Sequence, residues 1–251
     1  MKNKVMKWAL IFVMGFSFSS CDTLLQAVNT ADGVLTTVNG ITESEAVSGL
    51  KQALENGVGN GTGFLGASDG FLKNAAYKVL LPEEVRNVEQ QIRDNMFTNA
   101  LAGPFLDKLV TAMNRGAENA MAEAKPIFVN AIKAMTIKDA INIVTGGDGA
   151  ATSYLQRVTS DDLRMKFRPV IESALENVNV NEPWTKVTSA YNTIAGKEVT
   201  TDLYDYVTER AMVALFSEIK KEEDNIRSNP VARTTDILKK VFDYADEKKG
   251  S

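Results

Sequence analysis

The sequence predicts an all-α fold, an irregular multi-helix bundle of about nine or ten helices in one domain. Three observations support this prediction. Apolar residues recur at helical spacing in almost every long segment after Thr42, capping residues stand at the breaks, and no segment has the two-residue period of a strand. The chain of 251 residues is 44% hydrophobic and 24% charged, which is ordinary for a folded domain. We place the all-helical domain at residues 42–251.

The first helices are predicted from capping boxes and prolines. Thr42 and Glu45 form a capping box at the start of the first helix, which the glycines between Gly57 and Gly70 should break or loosen. The next helix begins at Leu81-Pro82, with proline in its first turn. The helices that follow are predicted to run from Pro104 to Ala122, from Pro126 to Met135, and from Thr136 to the glycines at 146 and 147.

The remaining helices are predicted from cap residues in the same way. Their predicted starts are Asp148, Thr159 with Asp162, Asn181, Thr200 or Thr201, and Thr234 or Thr235. The helix after Thr201 is the longest, and its apolar stripe consists of Leu203, Val207, Ala211, Leu215 and Ile219. Residues 243–251 have the composition of a frayed, solvated end.

The composition excludes several kinds of chemistry. The chain has no histidine, so it cannot form a Ser-His-Asp triad or a histidine-based metal site. Its single cysteine excludes an intramolecular disulfide and a Cys-X-X-Cys redox pair. We therefore expect no metal, no cofactor and no catalytic residues of these classes. The net charge of −4 argues against a nucleic-acid partner.

The first twenty residues have the pattern of a secretory signal peptide. Lys2, Lys4 and Lys7 precede an apolar run from Trp8 to Phe18, and small residues follow. Eleven residues in a helix span only about 16 Å, which is too short for a bilayer core of about 30 Å. We therefore expect residues 1–20 to be removed. The alternative is a buried N-terminal helix with a stray cysteine.

The only cysteine stands directly after the small residues. The segment Phe18-Ser19-Ser20-Cys21 resembles a bacterial lipobox, although the usual pattern has leucine or a similar aliphatic residue where Phe18 stands. This resemblance implies that Cys21 is diacylated and becomes the mature N-terminus, followed by a tether to residue 41. Removal of residues 1–20 takes away three lysines and changes the net charge from −4 to −7. Acyl chains rather than charge would then hold the protein on an anionic membrane.

Two local features could form a site. The glycine-rich loop from Thr145 to Thr152 enters a helix and could present backbone N–H groups to an anion, or it could simply be a helix stop followed by an Asp148 cap. Pro169 lies inside a helical pattern, where we expect a kink. Such a kink could shape a pocket or merely fit the helix to its neighbours.

Polar residues also interrupt otherwise helical, largely apolar segments. We expect them to form an interhelical network of arginines and carboxylates that fixes how the helices dock, with Arg115 and Arg168 as buried charges. The alternative is a polar pocket for a small anionic or carbohydrate ligand. These candidate residues are Asn114, Arg115, Glu118, Arg168, Glu222 and Glu223. The charged run from Glu218 to Arg227 as a whole is predicted to be a solvated face.

Several spaced motifs along the chain resemble the family called domain of unknown function 4197. They occur in the same order from about Leu50 to Phe242, and Gly116 departs from them because the family more often has alanine there. The matching segments are Leu80–Glu84, Met113–Glu118, Ile127–Phe128, Ala150–Leu155, Phe167–Pro169, Tyr206–Val207, Leu215–Phe216, Glu222–Glu223, Ile226–Arg227 and Pro230–Thr235. The resemblance implies a secreted, often lipid-anchored bacterial helical protein, and it implies no activity.

Three classes of function follow from these observations. The first is a lipid-anchored, non-catalytic envelope protein, at the outer membrane rather than the inner, whose domain binds an envelope protein through an exposed apolar patch. The second is a carrier or sensor with an enclosed pocket for a small molecule or lipid. The third, which we favour least, is a hydrolase with two facing carboxylates.

Overall fold

The computed structural model describes residues 37–38, 41–180, 183–185, 188, 202–233, 235–236 and 239–243. All of them belong to the unit that spans Thr37–Ser251. A two-residue antiparallel pairing, β1 (Thr37–Val38) with β2 (Ile41–Thr42), precedes the helices. Residues 37, 38 and 41 at the end of the predicted tether take part in this pairing, whereas the predicted signal peptide, Cys21, tether residues 22–36 and the predicted helix starts at 181, 200, 201 and 234 lie outside the described residues.

The all-α prediction is confirmed, and the residues that the structure describes form eight helices rather than the predicted nine or ten. Within the described ranges, helical residues at 183–185 and 188 form α6, and a last helical segment covers residues 236 and 239–243. A 3₁₀ turn, Pro230–Ala232, follows α7. The other helices are α1 (Glu43–Gly66), α2 (Glu83–Asp94), α3 (Met96–Ala134), α4 (Ile137–Thr145), α5 (Ala150–Glu176) and α7 (Leu203–Ser228).

The first correction concerns the glycines of α1. The helix continues through Gly57, Gly59, Gly61 and Gly63 and ends at Gly66, so these glycines do not break it. At Gly66, an added Cβ would lie 3.1 Å from the Cβ of Met121 on α3. The missing side chain therefore allows α1 and α3 to approach closely, and packing between the helices outweighs the poor helix propensity of glycine.

The second correction concerns two pairs of predicted helices that the structure joins. Residues 104–122 and 126–135 both belong to the 39-residue α3, which contains Pro104 and Pro126. The segments predicted to start at Asp148 and Thr159 both belong to α5, which contains Pro169. Buried residues continue along the whole length of both helices. Their burial keeps α3 and α5 intact although each proline removes a backbone hydrogen bond.

The capping box that the sequence predicts at Thr42 and Glu45 is present, and the structure shows a second one at Thr136 and Asp139, at the start of α4. The Thr42 hydroxyl accepts a hydrogen bond from the Glu45 N–H and the Glu45 carboxylate accepts one from the Thr42 N–H, and Thr136 and Asp139 are arranged in the same way. At the start of α5 the cap residue is Gly149, not Asp148. Glycine has no side chain that could accept a hydrogen bond from the N–H groups of the first turn. The start of α5 therefore needs an acceptor from elsewhere in the fold.

The core lies between α1, α3, α5 and α7. The central helix α3 packs against α5 and α1, and α7 packs against α5 and α1. Phe128 of α3 and Phe216 of α7 meet edge to face in the core, with ring centroids 6.0 Å apart. Among the described residues, no helix has the length and apolar character that crossing a membrane requires.

Candidate functional site

A buried carboxylate from α7 caps the start of α5. Glu223 Oε1 accepts a hydrogen bond from the Ala151 N–H at 3.1 Å. Glu223 Oε2 accepts one from the Thr152 N–H at 2.9 Å and another from the Thr152 hydroxyl at 2.8 Å. These N–H groups belong to the first turn of α5, which has no partner for them within the helix. A carboxylate at this position also complements the positive end of the helix dipole.

Arg227 extends the same contact to the end of α4. Its Nε donates to Glu223 Oε1 at 2.8 Å, and its two terminal nitrogens donate to the Ile143 carbonyl at 2.9 Å and the Gly146 carbonyl at 3.3 Å. Both carbonyls lie at the C-terminal end of α4, where a cation is favourable. The Glu223–Arg227 pair is buried, so the prediction that this run is a solvated face is wrong for these two residues.

The ionisation of Glu223 follows from these contacts. Burial on its own raises the pKa of the Glu223 carboxyl, but hydrogen bonds from Thr152, Ala151 and Arg227 favour the charged form more strongly. The pKa of Glu223 is therefore lowered, and the group is an anion at neutral pH. In the loop from Thr145 to Thr152, the N–H groups of Ala151 and Thr152 are thus occupied by a carboxylate of the protein itself rather than by an external anion.

A further arginine, which the sequence analysis did not single out, closes the end of α7. Arg233 is buried, and it donates to the carbonyls of Ile226 at 3.2 Å and Arg227 at 2.9 Å and to Asp243 Oδ1 at 2.8 Å. The guanidinium carbons of Arg233 and Arg227 lie 5.5 and 5.9 Å from the centroid of the Phe242 ring. The helical residues 239–243 are thereby held against the end of α7.

A second buried carboxylate, Glu118 on α3, holds the segment after α1. Its Oε1 accepts hydrogen bonds from the N–H groups of Phe71 and Leu72, each at 3.0 Å. Its Oε2 pairs with Arg115 at 2.5 Å, and Arg115 also pairs with Asp69 at 2.8 Å. The Arg115 side chain is 37% exposed, so it is not the buried charge that the sequence predicted.

Asn114, one residue before Arg115, is fully buried and binds the backbone of Val79 in both directions. Its Oδ1 accepts from the Val79 N–H at 2.8 Å, and its Nδ2 donates to the Val79 carbonyl at 2.8 Å. Nδ2 also donates to the Val110 carbonyl at 2.7 Å. The amide therefore satisfies both backbone groups of a residue that has no partner strand or helix, and it fixes the segment between α1 and α2 against α3.

Arg168 lies elsewhere, where α5 meets the start of α7. Its guanidinium pairs with the carboxylate of Asp202 at 2.7 Å, and Asp202 is also the cap of α7. Its side chain is 36% exposed, so it too is less buried than the sequence predicted. Arg168 lines an open cleft of about 390 Å³ together with Val180, Trp184, Thr185, Asp202, Leu203 and Tyr204.

The six predicted residues therefore do not form one site. Arg115 and Glu118 form one pair, with Asn114 beside them on the same helix. Arg168 pairs with Asp202, and Glu223 pairs with Arg227. Glu222 accepts a hydrogen bond from Asn60 at 3.2 Å on the surface between α1 and α7. Beside Pro169 there is a second open cleft of about 420 Å³, lined by Asn119, Val170, Ser173, Ala174 and Asn177.

One exposed apolar surface stands apart from these contacts. We call residues 95–101, where α2 ends and α3 begins, the α2–α3 tip. All seven residues are exposed, and the exposed fractions of Met96, Phe97 and Leu101 are 90%, 72% and 71%. The Asn95 side chain caps α3 by accepting hydrogen bonds from the N–H groups of Phe97 and Thr98. Helical periodicity alone does not distinguish exposed apolar residues from buried ones, so the sequence pattern did not reveal this surface.

The fold and these contacts define a class of protein, an all-helical domain in which buried charged side chains tie together the ends of neighbouring helices. The family model described as protein of unknown function (DUF4197) matches residues 40–243, and the chain therefore belongs to this family. No curated protein and no solved structure matches the chain.

Proposed function

We propose that this protein is a lipid-anchored component of the bacterial cell envelope, at the outer membrane rather than the inner, with a non-catalytic helical domain. The leader from residue 1 to residue 20 and the position of Cys21 support the anchor. Two or three acyl chains on Cys21 give stable attachment, because each buried methylene contributes about 0.8 kcal/mol. In this proposal the domain acts by contact with other components of the envelope.

The observation that carries a contact function is the α2–α3 tip. Met96, Phe97 and Leu101 lie within six residues of one another, and each exposes most of its side chain. Neighbouring large apolar side chains on a protein surface commonly mark an interaction site. Glu118 and Glu223, in contrast, each accept two backbone hydrogen bonds and pair with an arginine. Their oxygens are engaged in holding the fold, which argues against a role as hydrolytic carboxylates.

The anchor is tested with a Cys21→Ser variant expressed in a bacterial host. We expect the parent protein to incorporate an alkyne-bearing fatty acid and to sediment with outer-membrane markers in a density gradient. The variant should lose the label and leave the membrane fraction. A variant that remains membrane-bound with residues 1–20 attached would show that the leader is a plain signal anchor, and the lipoprotein proposal would be wrong.

A second candidate function is the binding of a small anionic or carbohydrate ligand in the Arg168 cleft. The volume of about 390 Å³ lies in the range of small-molecule sites, and Trp184, Tyr204 and the Arg168–Asp202 pair provide aromatic and polar walls. A thermal-shift screen with such ligands tests it. A ligand that stabilises the parent protein and an Arg164→Leu control, but not an Arg168→Leu variant, would favour this candidate over a pure contact function.

A further inference from the structure

We propose that the α2–α3 tip enters the interfacial layer of the bilayer that carries the lipid anchor, so that the domain is held at the membrane in a fixed orientation. This inference deepens the proposed function and rests on the acylation of Cys21. The partner of the tip is thus a lipid surface, not a protein.

The charge pattern around the tip supports a lipid partner. The twelve residues from Asn95 to Leu106 contain no Asp, Glu, Lys or Arg. At the chain average of 24% charged residues, a stretch of this length would contain roughly three. Protein interfaces usually surround an apolar centre with a polar, partly charged rim. The tip itself exposes apolar side chains together with only uncharged polar ones, Asn95, Thr98 and Asn99, and the interface of a bilayer accepts such a composition at low desolvation cost.

Charged residues flank the tip on both sides: Asp94, which is exposed, directly precedes it, and Asp107 follows on α3. Arg93 forms ion pairs with Glu89 at 2.9 Å and with Asp107 at 3.0 Å, and these link α2 to α3. These three paired groups and Asp94 can stay at the level of the lipid headgroups while Met96, Phe97 and Leu101 lie deeper. The hairpin therefore has an apolar end and a charged base, as an interfacial membrane element requires.

The backbone of the tip is also prepared for a less polar environment. Unpaired N–H groups at the start of a helix oppose entry into lipid. Here the Asn95 side chain accepts hydrogen bonds from the N–H groups of Phe97 and Thr98, at 3.0 and 3.2 Å. The Thr98 hydroxyl donates to the Ile92 carbonyl at 2.9 Å. The first turn of α3 thus enters with fewer unpaired polar groups.

The lipid anchor makes such a weak contact effective. Three apolar side chains alone would bind a bilayer weakly and reversibly. The tether from residue 21 to residue 41 spans at most about 66 to 72 Å, so the domain cannot leave the surface. A tethered group experiences an effective concentration of about millimolar, which favours occupancy of a contact that would otherwise be largely dissociated. The tip contains no basic residue, so its insertion should not depend on salt.

The test places a fluorescent probe at the tip of the acylated protein. The only native cysteine is blocked by the lipid, so a Met96→Cys variant offers one free thiol for an environment-sensitive fluorophore. Val231→Cys is the matched control, because Val231 is 86% exposed but lies in the 3₁₀ turn after α7. Both labelled proteins are reconstituted into phosphatidylethanolamine–phosphatidylglycerol vesicles, with and without brominated lipid chains. Incorporation of the alkyne fatty acid is measured separately on each preparation.

We expect a blue shift and a loss of intensity with brominated lipid for the probe at position 96 and neither effect at position 231. Adding Phe97→Asp and Leu101→Asp should abolish the effect at position 96 without changing the melting temperature, since both side chains are exposed. An acylated protein whose probe at 96 behaves like that at 231 overturns the inference and leaves the anchor intact. A probe at 96 that is shielded from water but not quenched by lipid indicates a protein contact and also overturns it. A parent protein without the fatty-acid label overturns both proposals.

Discussion

Glu223 and Arg227 lie one turn apart on α7, and their ion pair, 2.8 Å between Oε1 and Nε, joins the end of α4 to the start of α5. The carboxylate binds the N–H groups at the start of α5, and the guanidinium binds the carbonyls at the end of α4. Each charge is therefore opposite in sign to the helix end it contacts. One pair of side chains thus fixes the mutual positions of three helices.

Replacing Glu223 should destabilise the protein strongly. In Glu223→Gln the Arg227 guanidinium remains buried without its carboxylate, and the new amide turns an N–H donor towards the donors of α5. Breaking a buried ion pair in this way costs about 3–5 kcal/mol of unfolding free energy. The matched control is Glu222→Gln, one residue earlier on the surface, which should change the unfolding free energy by about 0.5 kcal/mol or less. Equal effects of the two variants in urea unfolding would show that the pair does not hold the helix ends.

The same carboxylate predicts a dependence of stability on acid pH. The pKa of Glu223 in the folded protein is lowered from its ordinary value of 4.5. Between the pKa of Glu223 in the folded protein and its pKa in the unfolded chain, the unfolded chain binds more protons than the folded one. The free energy of unfolding therefore rises with pH in this range. The contribution of Glu223 is complete above about pH 4.5 and is lost as the pH falls through the folded pKa.

Unfolding free energies measured from about pH 7 down to about pH 3 test this contribution. The free energy of unfolding of Glu223→Gln should fall less steeply towards acid pH than that of the parent protein or of Glu222→Gln. Some slope should remain, because the pKa values of Asp69, Asp139 and Asp202 are also lowered, by hydrogen bonds and nearby cations that outweigh burial. Parallel curves for the parent and Glu223→Gln would contradict the prediction.

Asn114 should be needed for the position of the segment between α1 and α2. In Asn114→Leu a side chain of similar size removes both hydrogen bonds to Val79, whose N–H and carbonyl are then buried without these partners. Each such group costs about 1–3 kcal/mol. Asn119→Leu is the control, because Asn119 is exposed on the same helix. Hydrogen exchange should show faster exchange of the Val79 amide in Asn114→Leu but not in the control.

Two glycine-to-alanine substitutions should have opposite effects on stability. Gly59 lies within α1, and no atom of a neighbouring element lies within 4 Å of the Cβ that alanine would add. Because alanine favours the helix over glycine, Gly59→Ala should stabilise the protein by about 0.5–1 kcal/mol. At Gly116 on α3 the new Cβ would lie 3.1 Å from the Ala174 Cβ and 3.3 Å from the Ile171 Cα. Because a backbone atom of α5 cannot move by itself, Gly116→Ala should destabilise by about 1–3 kcal/mol. Calorimetric melting of both variants measures the difference, and a stabilised Gly116→Ala would show that α3 and α5 can separate.

Local sequence rules predicted the elements whose stabilising contacts are local. The Thr42–Glu45 and Thr136–Asp139 capping boxes are present because each partner lies three residues from the other. The helix boundaries at Pro104, Pro126 and Thr159 were wrong, since tertiary packing of the continuous α3 and α5 stripes outweighs the local preference to stop.

The buried charges had a sequence pattern that could have been recognised. On α7, the apolar residues that recur every four positions up to Ile219 are followed at the same spacing by Glu223 and Arg227. On α3, the residues that recur every four positions up to Val110 are followed at the same spacing by Asn114 and Glu118. A polar residue at the position of a core residue must find a partner inside the protein. The pattern thus indicates that these residues are buried, but it does not identify Ala151, Thr152, Phe71 or Val79 as partners.

The sequence by itself determined the all-α class, the capping boxes and the apolar stripes, because all three depend on contacts within a few residues of the chain. Membership of the family also follows from the sequence, since the match covers residues 40–243. Only the tertiary structure decided that Glu223 closes α5, that Arg168 pairs with Asp202, and that the Phe97 side chain is exposed. Glu223 and Thr152 are 71 residues apart in the chain, and no local spacing rule relates them. Their contact depends on how four helices pack, and that packing is set by the shapes of all the buried side chains together.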